Sequence, residues 1–502
     1  MLKRSMLLPF LICVAACAQT PPERSIIDDA AAALGGAERI QAVRTIVMEG
    51  GGANGAMGGS VTPDDPPNTF TIAGYRRTLD LQNGRSRLQQ VRTAQFPFAL
   101  ATVQRMDQRL DGDIAFNIGG GGPGAPGANA GAPPAAQRGA DAVGAQRRRE
   151  LLDHPIAAIR AALDPASTLS NVRDEDGFRH VDIRTAKGDT VTLAIDPATN
   201  LPDHVSRMEY DAAWGDVEVE TTFAGYEAVN GLQVPRRFTT KTDRFTTADI
   251  TLTSTAIDGD AGDLAAPEVV RTAAAPQPPP VNVTVEQVGR GIWWLAGGTH
   301  HSVLFEFDDH LTLFEVPLGD ARTQAVIARA RELVPGKPLT HAIVSHHHLD
   351  HAGGFRAAVA EGLTIITHRG NEAFLRDIAS RRHTIQQDAL ARNPQEPKFQ
   401  LVDDQLALKD GTNEVMLYKA NGNIHTGLLI YGWVPRDRLL VQSDFYDVNW
   451  QQHPWGDNFI ENVKGRNLAP GRHLPGHGRI QTHPEVLATL ASKPKAAPAA
   501  GQ

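Results

Sequence analysis

Residues 345–354 read SHHHLDHAGG, and this short stretch decides how the second half of the chain is interpreted. Its side chains at His346, His348, Asp350 and His351 can each donate a nitrogen or oxygen atom to a metal ion. Such donors suit Zn²⁺, and also Fe or Mn. Residues two apart on an extended backbone point the same way, so His346 and His348 can share one metal position. Asp350 and His351 can then serve a second position as the chain turns into a helix.

The elements on either side of this stretch predict alternating strands and helices. Residues 339–345 read LTHAIVS, a largely apolar run that is typical of a strand buried on both faces. Phe355 and Val359 then share one face of a helix. Gly353-Gly354 removes side chains where that helix must start close to the site. We therefore predict an α/β sandwich over residues 283–491, with its site at the strand ends.

Three later residues extend the set of candidate ligands. His425 precedes a strand, Asp444 follows the strand at 439–442, and His477 lies in the segment LPGHG. The chain thus contains an H-x-H-x-D-H motif followed by x-G-G, and then His, Asp and His in this order. This pattern resembles the signature of the metallo-β-lactamase-fold superfamily. The resemblance covers about residues 286–490. It implies an αβ/βα sandwich that holds two metal ions.

The resemblance also implies how the seven ligands are shared. One metal takes His346, His348 and His425, the other takes Asp350, His351 and His477, and Asp444 bridges both. Two divalent ions, with Zn²⁺ favoured over Fe or Mn, lower the pKa of a shared water towards about 7. Asp350, beside that water, is the predicted catalytic residue, because its carboxylate can orient the water and carry a proton to the leaving group.

The predicted reaction is hydrolysis of a small-molecule ester, lactone, thioester or amide. A carboxylate at position 444 resembles the thioesterase and lactonase branches of the superfamily. The β-lactamase branch has Cys there, so β-lactamase activity is kept as an alternative. His348 stands where the oxygen-reducing di-iron branch has Glu, which argues against redox chemistry.

An aromatic segment directly after Asp444 predicts part of the substrate pocket. Residues 445–450 read FYDVNW, and Trp455 follows closely. Aromatic side chains commonly line small-molecule pockets, although ordinary helix packing explains the same pattern. The candidate substrate contacts are Tyr446, Trp450, His453, His473 and His301.

The first half of the chain has a different pattern and predicts a β-rich domain over residues 22–270, so that the whole protein is α+β. Alternating apolar residues, as in TVTLAI at 190–195, predict antiparallel strands. Helices are predicted only at 26–43, broken at Gly35-Gly36, and at 151–163. The segment 190–257 resembles the sheets of the periplasmic lipoprotein-carrier family. That resemblance implies a half-barrel with a concave face for a lipid or acyl group. A lipid- or acyl-binding envelope protein is therefore the alternative to an enzyme, and a scaffold domain without a ligand explains the same strands.

Composition marks the boundaries between these parts. Residues 119–145 are rich in Gly, Ala and Pro, which predicts a flexible insertion in the first domain. Residues 271–282 include AAAPQPPP and predict a Pro-rich linker. Residues 492–502 are rich in Ala and Pro and predict a disordered tail.

Residues 1–18 predict export from the cytoplasm of a bacterium, to the periplasm or outer envelope. Lys3 and Arg4 precede an apolar stretch that is too short to span a bilayer. Residues 14–17 read VAAC and resemble a lipobox, which implies a lipid anchor at Cys17. Cleavage of an ordinary signal peptide before Gln19 is the alternative.

Charge and cysteine content exclude several classes of function. The chain has 502 residues and a net charge of −8, with no long Lys/Arg run, so nothing indicates nucleic-acid binding. Only Cys13 and Cys17 occur, which excludes a disulfide framework and a Cys-rich metal site. Fifteen of the 18 His residues lie at or beyond His300. The chemistry is therefore expected in the second half of the chain.

Overall fold

The computed structural model describes residues 22–96, 103–119, 135–450 and 453–493. The predicted export segment and the end of the predicted tail lie outside the described residues. The described chain is α+β and consists mostly of sheets. An antiparallel N-terminal domain is followed by a C-terminal sandwich, as the sequence predicts.

The N-terminal domain is built around one large sheet with a few helices. Its helices are α1 (Pro22–Leu34), α2 (Ala37–Ala42), α3 (Asp141–Arg149), α4 (Pro155–Leu163) and α5 (Glu268–Thr272), with a 3-10 turn at Glu150–Asp153. Its strands are β1 (Thr45–Ala56), β2 (Asn68–Asp80), β3 (Arg85–Ala94), β4 (Val103–Asp111), β5 (Ile114–Ile118), β6 (Ala136–Arg138), β7 (Thr168–Glu175), β8 (Phe178–Arg184), β9 (Thr190–Ile195), β10 (Pro202–Asp211), β11 (Gly215–Ala224), β12 (Glu227–Val229), β13 (Leu232–Val234), β14 (Arg237–Thr242) and β15 (Phe245–Ile257).

Thirteen of these strands pair in the order β6-β5-β4-β3-β2-β1-β15-β14-β11-β10-β9-β8-β7, and β12 pairs with β13. Helices α1 and α4 pack on the sheet through a core that includes Ile27, Ile159 and Val181. The predicted break between α1 and α2 is confirmed. Gly35 has φ 121°, a conformation that residues with a Cβ atom rarely adopt.

The last part of the predicted flexible insertion has regular secondary structure instead. Residues 136–138 pair with β5, and α3 begins at Asp141. The buried guanidinium of Arg147 fixes this segment by donating to the carbonyls of Arg109 and Phe116. Alanine favours helices as well as low-complexity linkers, so composition alone misassigned this part. Residues 120–134 lie outside the described residues.

The C-terminal domain alternates strands and helices. Its strands are β16 (Thr284–Gly289), β17 (Ile292–Ala296), β18 (Ser302–Glu306), β19 (Leu311–Phe314), β20 (Leu339–Ile343), β21 (Thr364–His368), β22 (Lys398–Val402), β23 (Gln405–Lys409), β24 (Glu414–Lys419), β25 (Ile430–Val434), β26 (Leu439–Gln442), β27 (Arg472–Pro475) and β28 (Gln481–Thr482). Its helices are α6 (Asp320–Leu333), α7 (Leu349–Ala352), α8 (Phe355–Ala360), α9 (Glu372–Ser380), α10 (Ala389–Arg392), α11 (Gly456–Gly465) and α12 (His483–Ser492), with a 3-10 turn at Arg369–Asn371.

Two sheets form the sandwich. One has the order β16 to β22 and the other the order β23 to β28. Apolar side chains from both sheets, such as Phe305 and Val441, meet in one core. Helices cover the outer faces: Phe355 of α8 packs on the first sheet and Phe459 of α11 on the second. The predicted αβ/βα sandwich is therefore confirmed.

The two domains contact each other directly. Trp214, in the turn between β10 and β11, packs into the core of the C-terminal domain, with its ring centroid 5.6 Å from that of Phe374. Arg381 donates to both carboxylate oxygens of Asp243, at 2.8 and 3.1 Å. Within the described ranges, no helix is both long and apolar enough to cross a membrane.

Candidate metal centre

The candidate ligands lie where strands end. His346 and His348 follow β20, and the short helix α7 carries Asp350 and His351. The remaining ligands lie just before β25, just after β26 and just after β27, and they are His425, Asp444 and His477. A Cβ atom at Gly354 would overlap Thr323 Oγ1 and lie 2.9 Å from the carbonyl oxygen of Val316. The predicted need for a small residue beside the site is thus confirmed.

We call His346, His348, His425 and Asp444 the inner cluster. All four are buried, and their donor atoms lie within 4.8 Å of one another. His425 Nε2 is 2.7 Å from Asp444 Oδ2, and His346 Nε2 is 3.5 Å from the same oxygen. One carboxylate oxygen therefore faces two imidazole nitrogens.

We call His300, Asp350, His351 and His477 the outer cluster, whose donor atoms meet the same distance limit. His351 Nε2 lies 3.0 Å from His477 Nε2. His300 Nε2 donates to Asp350 Oδ2 at 3.2 Å. The side chain of Asp350 is 45% exposed, so this cluster opens to solvent on one side.

Asp444 joins the two clusters. Its Oδ2 faces the inner cluster, whereas its Oδ1 lies 3.0 Å from both His351 Nε2 and His477 Nε2. The structure thus brings together all seven ligands suggested by the sequence and places Asp444 where a bridging ligand is expected. It adds His300, which the sequence suggested only as a rim residue.

The donors fit divalent metal ions. His346 Nε2 is buried and has no hydrogen-bond partner among the described residues. The Nε2 atoms of His351 and His477 lie so close together that at most one of them can carry a proton. The other Nε2 atom then has a lone pair. Lone pairs that converge in this way are what a cation requires, and imidazole with carboxylate suits Zn²⁺, Fe or Mn.

Electrostatics keep three donors of the inner cluster in the protonation states that metal binding requires. Burial lowers the pKa of His346 well below its ordinary value. Burial, followed by the neighbouring His425, lowers the pKa of His348 to about 4. Burial by itself raises the pKa of Asp444, but the surrounding histidines outweigh burial and hold it well below its ordinary value. His346 and His348 are therefore neutral imidazoles beside an ionised carboxylate. At the outer cluster burial is outweighed by the carboxylates, Asp444 foremost, which raise the pKa of His351 and of His477, so a metal that binds there displaces protons.

Glu315 supports the outer cluster and was not recognised from the sequence. His351 Nδ1 donates to Glu315 Oε2 at 3.0 Å, which leaves His351 Nε2 for a metal. The backbone N–H of Ser345 donates to the other oxygen of Glu315 at 3.3 Å. Glu315 is buried and has φ 73°, a conformation that is strained for a residue with a side chain. The only sequence signal is an acidic residue directly after a buried strand.

Two of the predicted pocket residues lie near the metal ligands. The ring centroid of Trp450 is 6.3 Å from that of His425 and 6.4 Å from that of His477. His453 is 5.8 Å from Trp450 and stacks on Tyr446. Trp450 therefore borders both clusters, and His453 lies behind it.

The structure does not support substrate contacts by the other three candidates. Tyr446 is 2% exposed and belongs to the core with Phe459. His473 Nε2 lies 2.9 Å from His483 Nδ1 within buried packing. His301 Nε2 donates to the Gly478 carbonyl at 2.9 Å, and its Nδ1 accepts from the Gly297 N–H. These side chains stabilise loops and the core. Their position near metal ligands in the sequence cannot distinguish this structural role from substrate binding.

Comparison with known protein families identifies part of the C-terminal domain. Residues 295–441 match the sequence model of the metallo-beta-lactamase superfamily. This part of the chain is a metallo-beta-lactamase superfamily domain. The predicted family is thus confirmed for the C-terminal domain, which is that of a metal-dependent hydrolase. The resemblance of the N-terminal domain to lipoprotein carriers stays a prediction.

Similar solved structures cover less than half of the chain. A metallo-beta-lactamase from Pontibacter korlensis is 15% identical, with a TM-score of 0.34, over 42% of this chain and 98% of its own. A metallo-beta-lactamase from Hirschia baltica is 16% identical, with a TM-score of 0.32, over 43% of this chain and 99% of its own. A comparison with curated proteins finds no match.

Proposed function

We propose that the protein hydrolyses a small ester, lactone, thioester or amide at a centre of two zinc ions. The observation that carries this proposal is the position of Asp444, whose two oxygens face two separate groups of imidazole nitrogens. A single metal needs only one such group. When bound, two metals would polarise the scissile carbonyl and lower the pKa of water.

The chain's own residues then orient water and move a proton. The Asp350 carboxylate is partly exposed and is held by the N–H of His300 at 3.2 Å. His300 is fixed in turn, because Thr299 Oγ1 lies 2.7 Å from its Nδ1. Asp350 takes a proton from the attacking water and gives it to the leaving oxygen, sulfur or nitrogen atom.

The surroundings of Asp350 favour a small substrate with an apolar part. Leu318 is 43% exposed, and its N–H donates to the Asp350 carbonyl at 2.9 Å. Ile424 is 38% exposed and precedes the ligand His425. These two exposed apolar residues thus belong to the segments that carry Asp350 and His425 or bond to them, and the ring of Trp450 borders both clusters. A few apolar contacts around a polar centre are typical of small-molecule sites.

Metal content and an Asp350→Ala variant test the proposal. Elemental mass spectrometry of the native chain should find about two metals per chain, with zinc predominating, as the di-metal chemistry requires. Asp350→Ala should keep the fold and lose turnover by about 10²- to 10⁴-fold, the usual contribution of a positioned proton carrier. Asp403→Ala, at an exposed carboxylate that pairs with Arg369, is the control. Unchanged turnover in Asp350→Ala would refute the mechanism.

A substrate panel separates the enzymatic alternatives. Lactones, thioesters, simple esters and β-lactams would be offered to the same zinc-loaded preparation. We expect hydrolysis of one of the first three classes, because Asp444 is a carboxylate. Turnover of β-lactams alone would make the protein a β-lactamase.

A second function is favoured by the N-terminal domain. A cavity of about 480 Å³ lies on its sheet, within the range of small-molecule pockets. Its lining combines apolar side chains, such as Leu79, Val219 and Ile250, with charged ones, such as Arg77 and Arg207, which suit an acyl chain and its polar end. This supports the alternative of a lipid- or acyl-binding envelope protein. Organic extraction of the purified full chain, followed by mass spectrometry, should find an acyl compound if this domain is the working part.

We also propose that the protein is exported and anchored to a membrane at Cys17. The support is the basic start of the chain and the apolar run that ends in VAAC. Cys17→Ala should move the protein from the membrane fraction to the soluble periplasmic fraction of a bacterial host. Equal membrane association of the native chain and the variant would refute a lipid anchor at Cys17.

A further inference from the structure

We infer that the loop between β1 and β2, residues 57–67 of the N-terminal domain, positions a ligand of the inner metal cluster. The inference rests on the proposed function, because it assumes that this cluster holds a metal. It goes further by giving the N-terminal domain a part in the metal site. The residue that it positions is His348.

A hydrogen bond between Ser60 and His348 connects the loop to the cluster. His348 Nε2 lies 2.8 Å from the carbonyl oxygen of Ser60, and both residues are buried. A carbonyl oxygen only accepts, so His348 Nε2 must carry the proton. Nδ1 is then the ring atom of His348 that would ligate a metal. The Ser60 carbonyl therefore sets both the tautomer and the direction of this imidazole.

A second contact ties the loop to another ligand. The Gly427 N–H, two residues after His425, donates to the Val61 carbonyl at 2.9 Å. Adjacent residues of the loop thus contact the segments that carry two of the three inner-cluster histidines. The loop therefore contacts the surroundings of the cluster at both Ser60 and Val61.

The loop packs too closely against the start of α7 to allow a larger residue at Gly58. Gly58 has φ 75°, and a Cβ atom there would lie 2.5 Å from Leu349 Cδ1. Leu349 directly follows His348. Added bulk at Gly58 must therefore move either the loop or the first turn of α7.

The loop's shape is maintained by Asp65 of the loop and by Asn68, the first residue of β2. Asp65 Oδ2 accepts from the Thr62 N–H at 2.8 Å. Asn68 Nδ2 donates to the Gly59 carbonyl at 2.5 Å. None of these residues belongs to either metal cluster. Changing Asp65 and Asn68 therefore loosens the loop without removing a ligand.

The outer cluster offers an internal comparison. His351 is held by the carboxylate of Glu315, which belongs to the same domain. Partners that orient a ligand commonly change metal affinity by about 10- to 100-fold. Loosening the loop should therefore weaken one metal site and leave the other unchanged.

The experiment is a Zn²⁺ titration of the metal-stripped full chain carrying Asp65→Ala and Asn68→Ala together. We expect one of the two sites to bind about 10- to 100-fold more weakly, and the visible spectrum of the Co²⁺-loaded chain to change. Asp196→Ala is the matched control, because Asp196 also accepts from loop N–H groups of the N-terminal domain, at Ala198. It should bind both metals as the native chain does.

A second pair of variants guards against general destabilisation. Gly58→Ala and Gly84→Ala impose the same backbone strain, since φ is 75° and 62°, but a Cβ atom at Gly84 meets nothing within 4 Å. Only Gly58→Ala should weaken the one metal site. Equal effects of both glycine variants, or equal weakening of both sites by the loop variants, would show a merely structural role and overturn the inference.

The two proposals fail in different ways. If the native chain binds no metal, the proposed function fails and the inference falls with it. If the native chain binds two metals tightly and the loop variants bind both equally well, only the positioning role of the loop is refuted.

Discussion

The two metal clusters use the same kinds of donor but differ in burial. All four inner ligands are buried, and one of them is held by a carbonyl of the other domain. The outer cluster includes the half-exposed Asp350 and is held from within its own domain by Glu315. Closed metal sites serve structure, whereas catalytic sites keep an open position. The difference suggests that substrate enters at the outer cluster.

The largest effect is expected when Asp444, the residue that both clusters share, is removed. Asp444→Ala should abolish binding of both metals, because each cluster loses a carboxylate oxygen. Activity should fall by more than about 10³-fold, since the electrostatic contribution of both metals is lost. Elemental analysis and a hydrolysis assay check this, with Asp403→Ala as a control. Two retained metals would show that Asp444 does not bridge.

Removing one histidine at a time tests whether the clusters are separate. His346→Ala should lower the metal content from about two to about one per chain, and His477→Ala should do the same through the other cluster, since each metal site needs its own donors. The two variants should differ in Co²⁺ spectrum, because different sites stay filled. Loss of both metals in each variant would mean that the clusters bind cooperatively as one unit.

A milder change sharpens the comparison at the outer cluster. Glu315→Gln keeps size but removes the charge that accepts from His351 Nδ1. We expect about 10- to 100-fold weaker binding of one metal. This is the counterpart of the loop variants at the inner cluster. Glu332→Gln, at an exposed ion pair on α6, is the control and should bind both metals normally. A Zn²⁺ titration measures the effect.

The smallest expected effect concerns Trp450, the aromatic residue that borders both clusters. Trp450→Ala should leave both metals bound but raise KM by about two- to tenfold, the cost of losing one aromatic contact. Tyr446→Phe is the comparison variant, because Tyr446 lies in the core. It should leave KM unchanged. Steady-state kinetics on the best substrate of the panel would separate the two.

The structure brings the predicted metal ligands together, but it does not bring most of the predicted substrate contacts to them. Four ligands lie within six residues, and the others directly flank strands, so local order already indicates a shared position. His473 and His301 also lie near ligands in the sequence, yet their rings bond to His483 and to the Gly478 carbonyl. Distance along the chain does not tell which way a side chain points. Glu315 and Ser60 could not be found, because their contacts with histidines join distant segments.

The sequence by itself determined the donor atoms, their order and the sandwich that presents them. Those properties follow from residue type and from hydrophobic periodicity, which are local. Only the tertiary structure decided which oxygen of Asp444 faces which cluster. It alone also decided that Ser60 reaches the site and that Nε2 is the nitrogen of His348 that donates to its carbonyl. These depend on packing between segments far apart in the chain. The N-terminal domain therefore entered the metal site only through the fold.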